Sequence, residues 1–274
     1  MQSSNPVFAR SEGFNGRRVS QSGVTYPDYN APAPSPHGFG EQQAPEHYAP
    51  ARPQAPMTID SVVQKTGITL GLVVLTAALT WVFLPEQLLG MAWMGGAFAG
   101  LGLALVISFK KVISPGLVLA YAAVEGLFVG AMSKTFESMW DGVVVGAVVG
   151  TFAAVAGTLA AYKFFNIQVS PKFRKWVVAA MFGFVAVVLL DFVLSLFGSA
   201  IGFNGFGPLG LIMSVIGLGL GVLMLILDFD FVERGIAARL PEQESWRAAF
   251  GLTVTIIWIY IEMLRILAIL RGQD

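Results

Sequence analysis

Seven apolar runs of about twenty residues constrain the fold of this chain more than any other feature. A helix of that length crosses the roughly 30 Å hydrocarbon core of a bilayer. The runs lie at 66–84, 88–108, 116–133, 142–162, 176–197, 209–229 and 248–270. The alternating ten-residue strands of a membrane β-barrel are absent from the sequence. We therefore expect an all-α integral membrane protein in which residues 57–274 form a bundle of seven transmembrane helices.

Composition supports this expectation and narrows the chemistry. Hydrophobic residues make up 55% of the chain, and the mean hydropathy of +0.69 is too high for a water-soluble enzyme. Cysteine is absent, and both histidines, His37 and His47, precede the first run. Catalysis would therefore depend on carboxylates alone, for example in a metal-dependent hydrolase. We expect a protein that is not an enzyme and has no resident cofactor; its zero net charge gives no indication of a nucleic-acid partner.

Residues 1–56 differ in composition from the rest of the chain. They hold nine of the fourteen prolines and few apolar residues, so burial could not compensate for the entropy that ordering would cost. We expect a disordered tail, which could be merely solvated or could bind protein partners.

The basic residues indicate an orientation. With the tail in the cytoplasm, fourteen of the seventeen Lys and Arg residues lie in inner segments, and only Lys134 and Arg271 lie in outer ones. Positive charge favours the cytoplasmic side. We expect a multi-pass protein of the cell membrane with its N-terminus inside and its C-terminus outside.

Glycines spaced four residues apart recur within the runs, a pattern that allows close helix packing in lipid. The pairs and triplet are Gly67/Gly71, Gly96/Gly100, Gly126/Gly130, Gly142/Gly146/Gly150 and Gly217/Gly221.

Acidic residues at membrane depth are candidates for function because burying a charge in lipid is costly. Glu125 lies near the middle of the third run without a basic residue in that run. It could be protonated, paired across helices or exposed to a water-filled cavity. Asp228 closes the sixth run and has no acidic or basic partner one turn away, so it is the stronger candidate, although it could also be an acid in headgroup water.

Three other intramembrane acids have a simpler interpretation. Asp230 can form an ordinary surface pair with Arg234 at i+4, and Glu262 can be neutralised by Arg265 at i+3. Asp191 lies about two turns from the outer end of the fifth run. It could line an outer vestibule, but we expect an acid that reaches towards the headgroups.

Several of these segments resemble the bacterial multi-pass branch of the Bax-inhibitor superfamily. The sixth run closes with Ile-Leu-Asp228, and the last contains Tyr260-Ile-Glu-Met-Leu-Arg265-Ile-Leu-Ala-Ile-Leu. The third contains Leu-Ala-Tyr-Ala-Ala-Val-Glu125-Gly-Leu-Phe-Val-Gly130. The resemblance covers about residues 57–274, with the tail outside it.

This resemblance implies a seven-helix protein that leaks calcium in a pH-dependent way. In such proteins an aspartate on the sixth helix and another on the seventh share a hydrogen bond that senses protons, and an arginine holds them closed. Asp228 matches the first aspartate. Alignment on Arg265-Ile-Leu places Thr255 at the second, so Glu125 could replace that partner, the sensor could be altered, or ion leakage could be lost.

The leading hypothesis is a passive, pH-sensitive cation pathway, in which protons and a hard cation such as Ca²⁺ compete for carboxylate oxygens. Asp228 and Glu125 would be the carboxylates, with transient Ca²⁺ binding, and Glu262 and Arg265 would be a supporting pair. The alternative is a membrane scaffold that transports nothing and regulates partner proteins through its tail.

Overall fold

The computed structural model describes residues 55–272, and these residues contain seven α-helices. The helices are α1 (Ile59–Phe83), α2 (Glu86–Phe109), α3 (Pro115–Met139), α4 (Val143–Phe164), α5 (Pro171–Leu196), α6 (Pro208–Ala237) and α7 (Glu244–Arg271). Each is long and apolar enough to cross a membrane. The expected multi-pass helical bundle is confirmed, whereas the predicted disorder of the tail concerns residues 1–54, which lie outside the described residues.

Local sequence signals explain where the helices begin. Thr58 caps α1, and its side chain and that of Ser61 bond reciprocally to each other's backbone N–H groups. Helices α3, α5 and α6 begin with Pro115, Pro171 and Pro208, where the missing N–H of proline has no partner to lose. Prolines thus start helices here and do not interrupt them.

The helices extend beyond several of the predicted apolar runs. The largest extension at a C-terminus is in α6, which continues to Ala237 and not to residue 229. The added turns contain Asp230, Glu233 and Arg234, polar side chains that remain compatible with helical hydrogen bonding at a membrane surface. Asp228 and Asp230 therefore lie within a helix and not at its end.

Helix α7 is the central element of the bundle. It packs against α1, α3, α4 and α6, whereas α2 is held chiefly by α3, and α5 chiefly by α6. Its buried positions follow the helix from Ser245 to Ile269. About half of α7 is therefore buried against other helices, which makes this helix the natural place for polar contacts between helices.

Most of the spaced glycines bring helices together. An added Cβ at Gly130 would lie 2.5 Å from the carbonyl oxygen of Ala77 on α1, and one at Gly221 would lie 2.9 Å from Ile259 on α7. The pair Gly67/Gly71 is the exception, because added Cβ atoms there would meet nothing within 4 Å. The packing role predicted for that pair is wrong; these glycines lie on the outer face of α1.

Polar contacts join the ends of neighbouring helices at both ends of the bundle. At one end Ser61 of α1 contacts Ser245 of α7 through their hydroxyls at 2.7 Å, and the amide of Gln243 donates to the carbonyl of Ile113. At the other end Lys134 donates to the carbonyl of Leu84. The first is called the Ser61 end below, and the second the Lys134 end.

Candidate functional site

Asp228 of α6 and Thr255 of α7 are joined by a side-chain hydrogen bond. The Thr255 hydroxyl donates to Oδ2 of Asp228 at 2.6 Å. Asp228 is only partly buried, and α7 approaches closely here because Gly251, one turn before Thr255, has no side chain beyond hydrogen. An added Cβ at Gly251 would lie 3.3 Å from Oδ1 of Asp228. Thr255, which aligns with the second aspartate of the proteins that the sequence resembles, is thus the hydrogen-bond partner of Asp228.

Asp230, two residues further along α6, has a different environment. Its carboxylate accepts from Arg174 of α5 at 2.6 Å and from Arg234 one turn later at 2.9 Å. The side chain of Asp230 is only 9% exposed, whereas the two arginines are 42% and 50% exposed. The predicted pair with Arg234 is present, but it is not an ordinary surface pair, since Asp230 is buried between two helices and two guanidinium groups.

Glu125 is buried on α3 with 9% of its surface exposed. Its carboxylate lies against Gly100 of α2, where an added Cβ would come within 2.5 Å of Oε1. One turn earlier, the ring of Tyr121 packs on Phe250 of α7 at a centroid distance of 5.0 Å. Because α3 and α7 run in the same direction, Glu125 lies at about the depth of Thr255.

Glu262 lies in another part of α7, against Gly217 of α6. It is 4% exposed, and Arg265 is 3.5 Å from its Oε2, as predicted. Gly217 and Asp228 are eleven residues apart on α6, which corresponds to about 16 Å along the helix axis. Glu262 and Asp228 are therefore not partners.

Asp191 holds the connection between α5 and α6. It is 1% exposed, and its carboxylate accepts backbone N–H groups of Ile201, Gly202 and Asn204 at 2.7 to 3.1 Å. The expectation of an acid that reaches towards headgroups is wrong, because three donors from one loop surround the carboxylate. Arg265 donates to the carbonyl of Phe203 in the same loop, so Asp191 and Arg265 both anchor it.

Sequence reasoning did not identify Arg174 or the Lys65–Glu242 pair. Arg174 meets Asp230 across 56 positions of sequence. The ammonium group of Lys65 donates to Oε1 of Glu242 at 2.9 Å and lies 5.7 Å from the ring centroid of Trp246. The concentration of basic residues at the start of the fifth run was the available signal for Arg174. Charge patterning alone could not specify which acid it meets.

Three of these carboxylates, those of Glu125, Asp228 and Glu262, lie at two levels of the bundle. Asp228 and Glu125 lie at similar depth, Asp228 against α7 and Glu125 against α2, while Glu262 lies roughly 10 Å further along α7 from Thr255. Within residues 55–272, no three histidine or acidic side chains come together as a metal-binding cluster. The carboxylates therefore act as separate groups, and Asp228 is the one that joins α6 to α7.

Comparisons with known proteins agree with this architecture. The model of a family described as Bax inhibitor 1 like matches residues 5–272. A protein of Chlamydia muridarum (strain MoPn / Nigg), described as an uncharacterized protein, is 32% identical over 110 residues, or 38% of this chain and 46% of that protein. The chain thus matches less than half the length of that relative. Because the family match begins at residue 5, the expectation that the tail lies outside the resemblance is wrong.

Proposed function

The chain belongs to the Bax inhibitor 1 like family, and we propose on that premise that it is a pH-sensitive cation leak, with Ca²⁺ as the permeating ion. The observation that supports this proposal is the hydrogen bond between Asp228 and Thr255. It places an acid at the contact of α6 and α7, where a change of charge acts on two helices at once. The chain carries out no catalysis in this proposal, and Ca²⁺ is cargo, not a cofactor.

Competition between protons and cations at Asp228 gives the pH dependence. An ionised carboxylate offers oxygen ligands to a hard cation such as Ca²⁺, whereas a protonated one does not. Uptake therefore falls as the pH falls. Because Thr255 does not ionise in this range, the hydrogen-bonded pair Asp228–Thr255 has one titrating group and takes up at most one proton.

Glu125 and the pair Glu262–Arg265 have supporting roles in the proposal. Glu125 lies at about the depth of Thr255 and is buried against a glycine, so in this proposal it supplies a second carboxylate at that level of the bundle. Arg265 contacts both Glu262 and the loop that Asp191 anchors. These contacts connect a buried acid to the loop over one end of the bundle, where the pathway would open.

We further propose that the Ser61 end faces the cytoplasm of the cell membrane. That end carries Lys65, Lys110, Lys111, Lys163, Lys172, Arg174, Lys175, Arg234, Arg239 and Arg247. The Lys134 end carries Lys134 and Arg271. An excess of Lys and Arg close to the helix ends is the signal that sets orientation, and it supports a cytoplasmic N-terminus.

Calcium uptake into proteoliposomes tests the proposal. We expect the wild-type protein to admit Ca²⁺ in a pH-dependent way, and Asp228→Asn and Glu125→Gln each to reduce that dependence. Glu86→Gln is the matched control, because Glu86 is an exposed acid in the first turn of α2. If both buried-acid variants take up Ca²⁺ with the wild-type pH dependence, the assignment is wrong.

A scaffold that regulates partner proteins is the second candidate. The observation that favours it is the family match, which includes most of the proline-rich tail. Removal of residues 1–56 distinguishes the two. If the protein is a leak, the shortened chain keeps nearly all of its flux. If it is a scaffold, the shortened chain loses its cellular function, whatever its flux.

A further inference from the structure

A large apolar cleft lies between α1 and α4, apart from the buried acids. Its volume is about 620 Å³, and α3 and α7 form its floor. Helices α1 and α4 are not in contact with each other in the described part of the chain. Their side chains in the cleft are well exposed, including Val74 at 66%, Val145 at 66% and Phe152 at 72%. The bundle therefore leaves an open seam between two of its helices.

The dimensions of the cleft match those of one lipid leaflet. Its lining extends from Leu70 to Val82 on α1 and from Val144 to Val155 on α4. At 1.5 Å per residue these stretches are about 18 Å and 16 Å long, close to half of the roughly 30 Å hydrocarbon core. The cleft begins near the middle of the bundle and continues to the Lys134 end.

Polar groups in the lining are already engaged within the protein. The hydroxyls of Ser133 and Tyr260 contact each other at 2.7 Å, and that of Thr151 donates to the carbonyl of Ala147. Both carboxylate oxygens of Glu137 accept N–H groups from the start of α4. The occupant of such a cleft needs no hydrogen bond along its length, which fits a hydrocarbon chain.

Two cations flank the mouth of the cleft. The ammonium group of Lys134 donates to the carbonyl of Leu84, two residues beyond the α1 wall, at 2.9 Å. On the other side, an added Cβ at Gly142, next to the start of α4, would lie 3.2 Å from the Arg271 guanidinium. Arg265, a third basic side chain towards this end, is engaged with Glu262 and with the carbonyl of Phe203. Two acids lie close by. Asp141 is exposed, and the carboxylate of Glu137 accepts backbone N–H groups at the start of α4.

We propose that this cleft is a binding site for one phospholipid, with an acyl chain along the α1–α4 seam and the phosphate between Lys134 and Arg271. The bound chain completes a wall that helix contacts leave open. The length of the cleft, its apolar lining and the two cations at the same end of the bundle support this occupant. The site is independent of the carboxylates that carry the proposed ion leak.

Photo-crosslinking of the full-length protein tests this site. The probe is a phospholipid with a diazirine in its acyl chain, reconstituted with the protein and mapped by mass spectrometry. We expect labels to concentrate on residues 70–82 and 144–155 and to disappear with excess unlabelled phospholipid. Labels spread evenly over all lipid-facing helices, or not removed by competition, would overturn the proposal, as would crosslinks between two copies across the cleft.

Variants separate a specific site from general lipid contact. Val148→Trp fills the cleft and should remove the competed labels, whereas Leu189→Trp, on the exposed face of α5, should leave them unchanged. Lys134→Ala and Arg271→Ala should each raise the phospholipid concentration needed for competition about fivefold, the value for one basic side chain at a membrane surface. Equal labelling of wild type and Val148→Trp would contradict the proposal.

Discussion

The hydroxyl of Thr255 donates a 2.6 Å hydrogen bond to the carboxylate of Asp228 across the α6–α7 interface. In proteins that the sequence resembles, two aspartates occupy these positions. Replacement of one acid by threonine keeps the contact between the helices and removes one of the two titrating groups. The pair Asp228–Thr255 therefore takes up at most one proton.

Restoring the second acid should change the pH response. In Thr255→Asp, two carboxylates would share one site and hold a proton more strongly than one carboxylate does, since like charges disfavour double ionisation. We expect the midpoint of calcium uptake to move to higher pH. Thr255→Ser, which keeps the hydroxyl and adds no acid, is the control. An unchanged midpoint in Thr255→Asp would show that Thr255 is not at the sensor.

Asp230 should matter for stability. In Asp230→Asn, Arg174 and Arg234 lose the carboxylate that joins α5 to α6. Hydrogen bonds to charged groups contribute about 1.5–3 kcal/mol, and the solvent exposure of both arginines favours the lower end. The free energy of unfolding in detergent should fall by that amount. Glu233→Gln, at an acid that is 52% exposed, should cost less; equal losses would contradict the structural role of Asp230.

Two glycines that each have a second glycine four residues away should respond differently to alanine. Gly130→Ala places a methyl group 2.5 Å from the Ala77 carbonyl, and such overpacking costs about 1–3 kcal/mol. Gly67→Ala meets nothing within 4 Å and should stabilise α1 by up to about 1 kcal/mol through helix propensity. Thermal unfolding of both variants checks the prediction. Similar effects would mean that the α1–α3 contact is not tight.

The orientation can be measured directly because the chain has no cysteine. Ser199→Cys lies in the exposed loop after α5, and Gln168→Cys lies in the exposed loop before it. With the Ser61 end in the cytoplasm, a membrane-impermeant maleimide should label Ser199→Cys in intact cells and Gln168→Cys only after permeabilisation. The opposite pattern would reverse the proposed topology.

Hydropathy predicted the helical bundle because the length of each apolar run reflects bilayer thickness, a constraint that is local in sequence. The end of α6 was misplaced because Asp230, Glu233 and Arg234 are polar yet helical. The role of Asp191 depends on the loop that follows α5, because the backbone N–H groups of Ile201, Gly202 and Asn204 point at its carboxylate. The direction of N–H groups in a loop cannot be predicted from composition. Hydropathy reports neither the helical conformation of polar residues nor the direction of backbone N–H groups in a loop.

Spacing between small residues had a related limit. The patterns at Gly126/Gly130 and Gly67/Gly71 look equivalent, but the first faces another helix and the second faces outwards. A spacing of four residues places two glycines on the same face of a helix, but it does not specify whether another helix or lipid lies against that face. The contact of Asp228 with Thr255 was accessible only through the resemblance, because alignment of the last helix singled out Thr255.

Calcium uptake into proteoliposomes, measured over a series of pH values for wild type and Asp228→Asn, decides whether Asp228 is where protons and cations compete. We expect wild-type uptake to fall with falling pH. We expect uptake in Asp228→Asn to depend less on pH than wild-type uptake does, because the amide does not ionise. Uptake in Asp228→Asn that retains the wild-type pH curve would contradict the claim that Asp228 is where protons and cations compete.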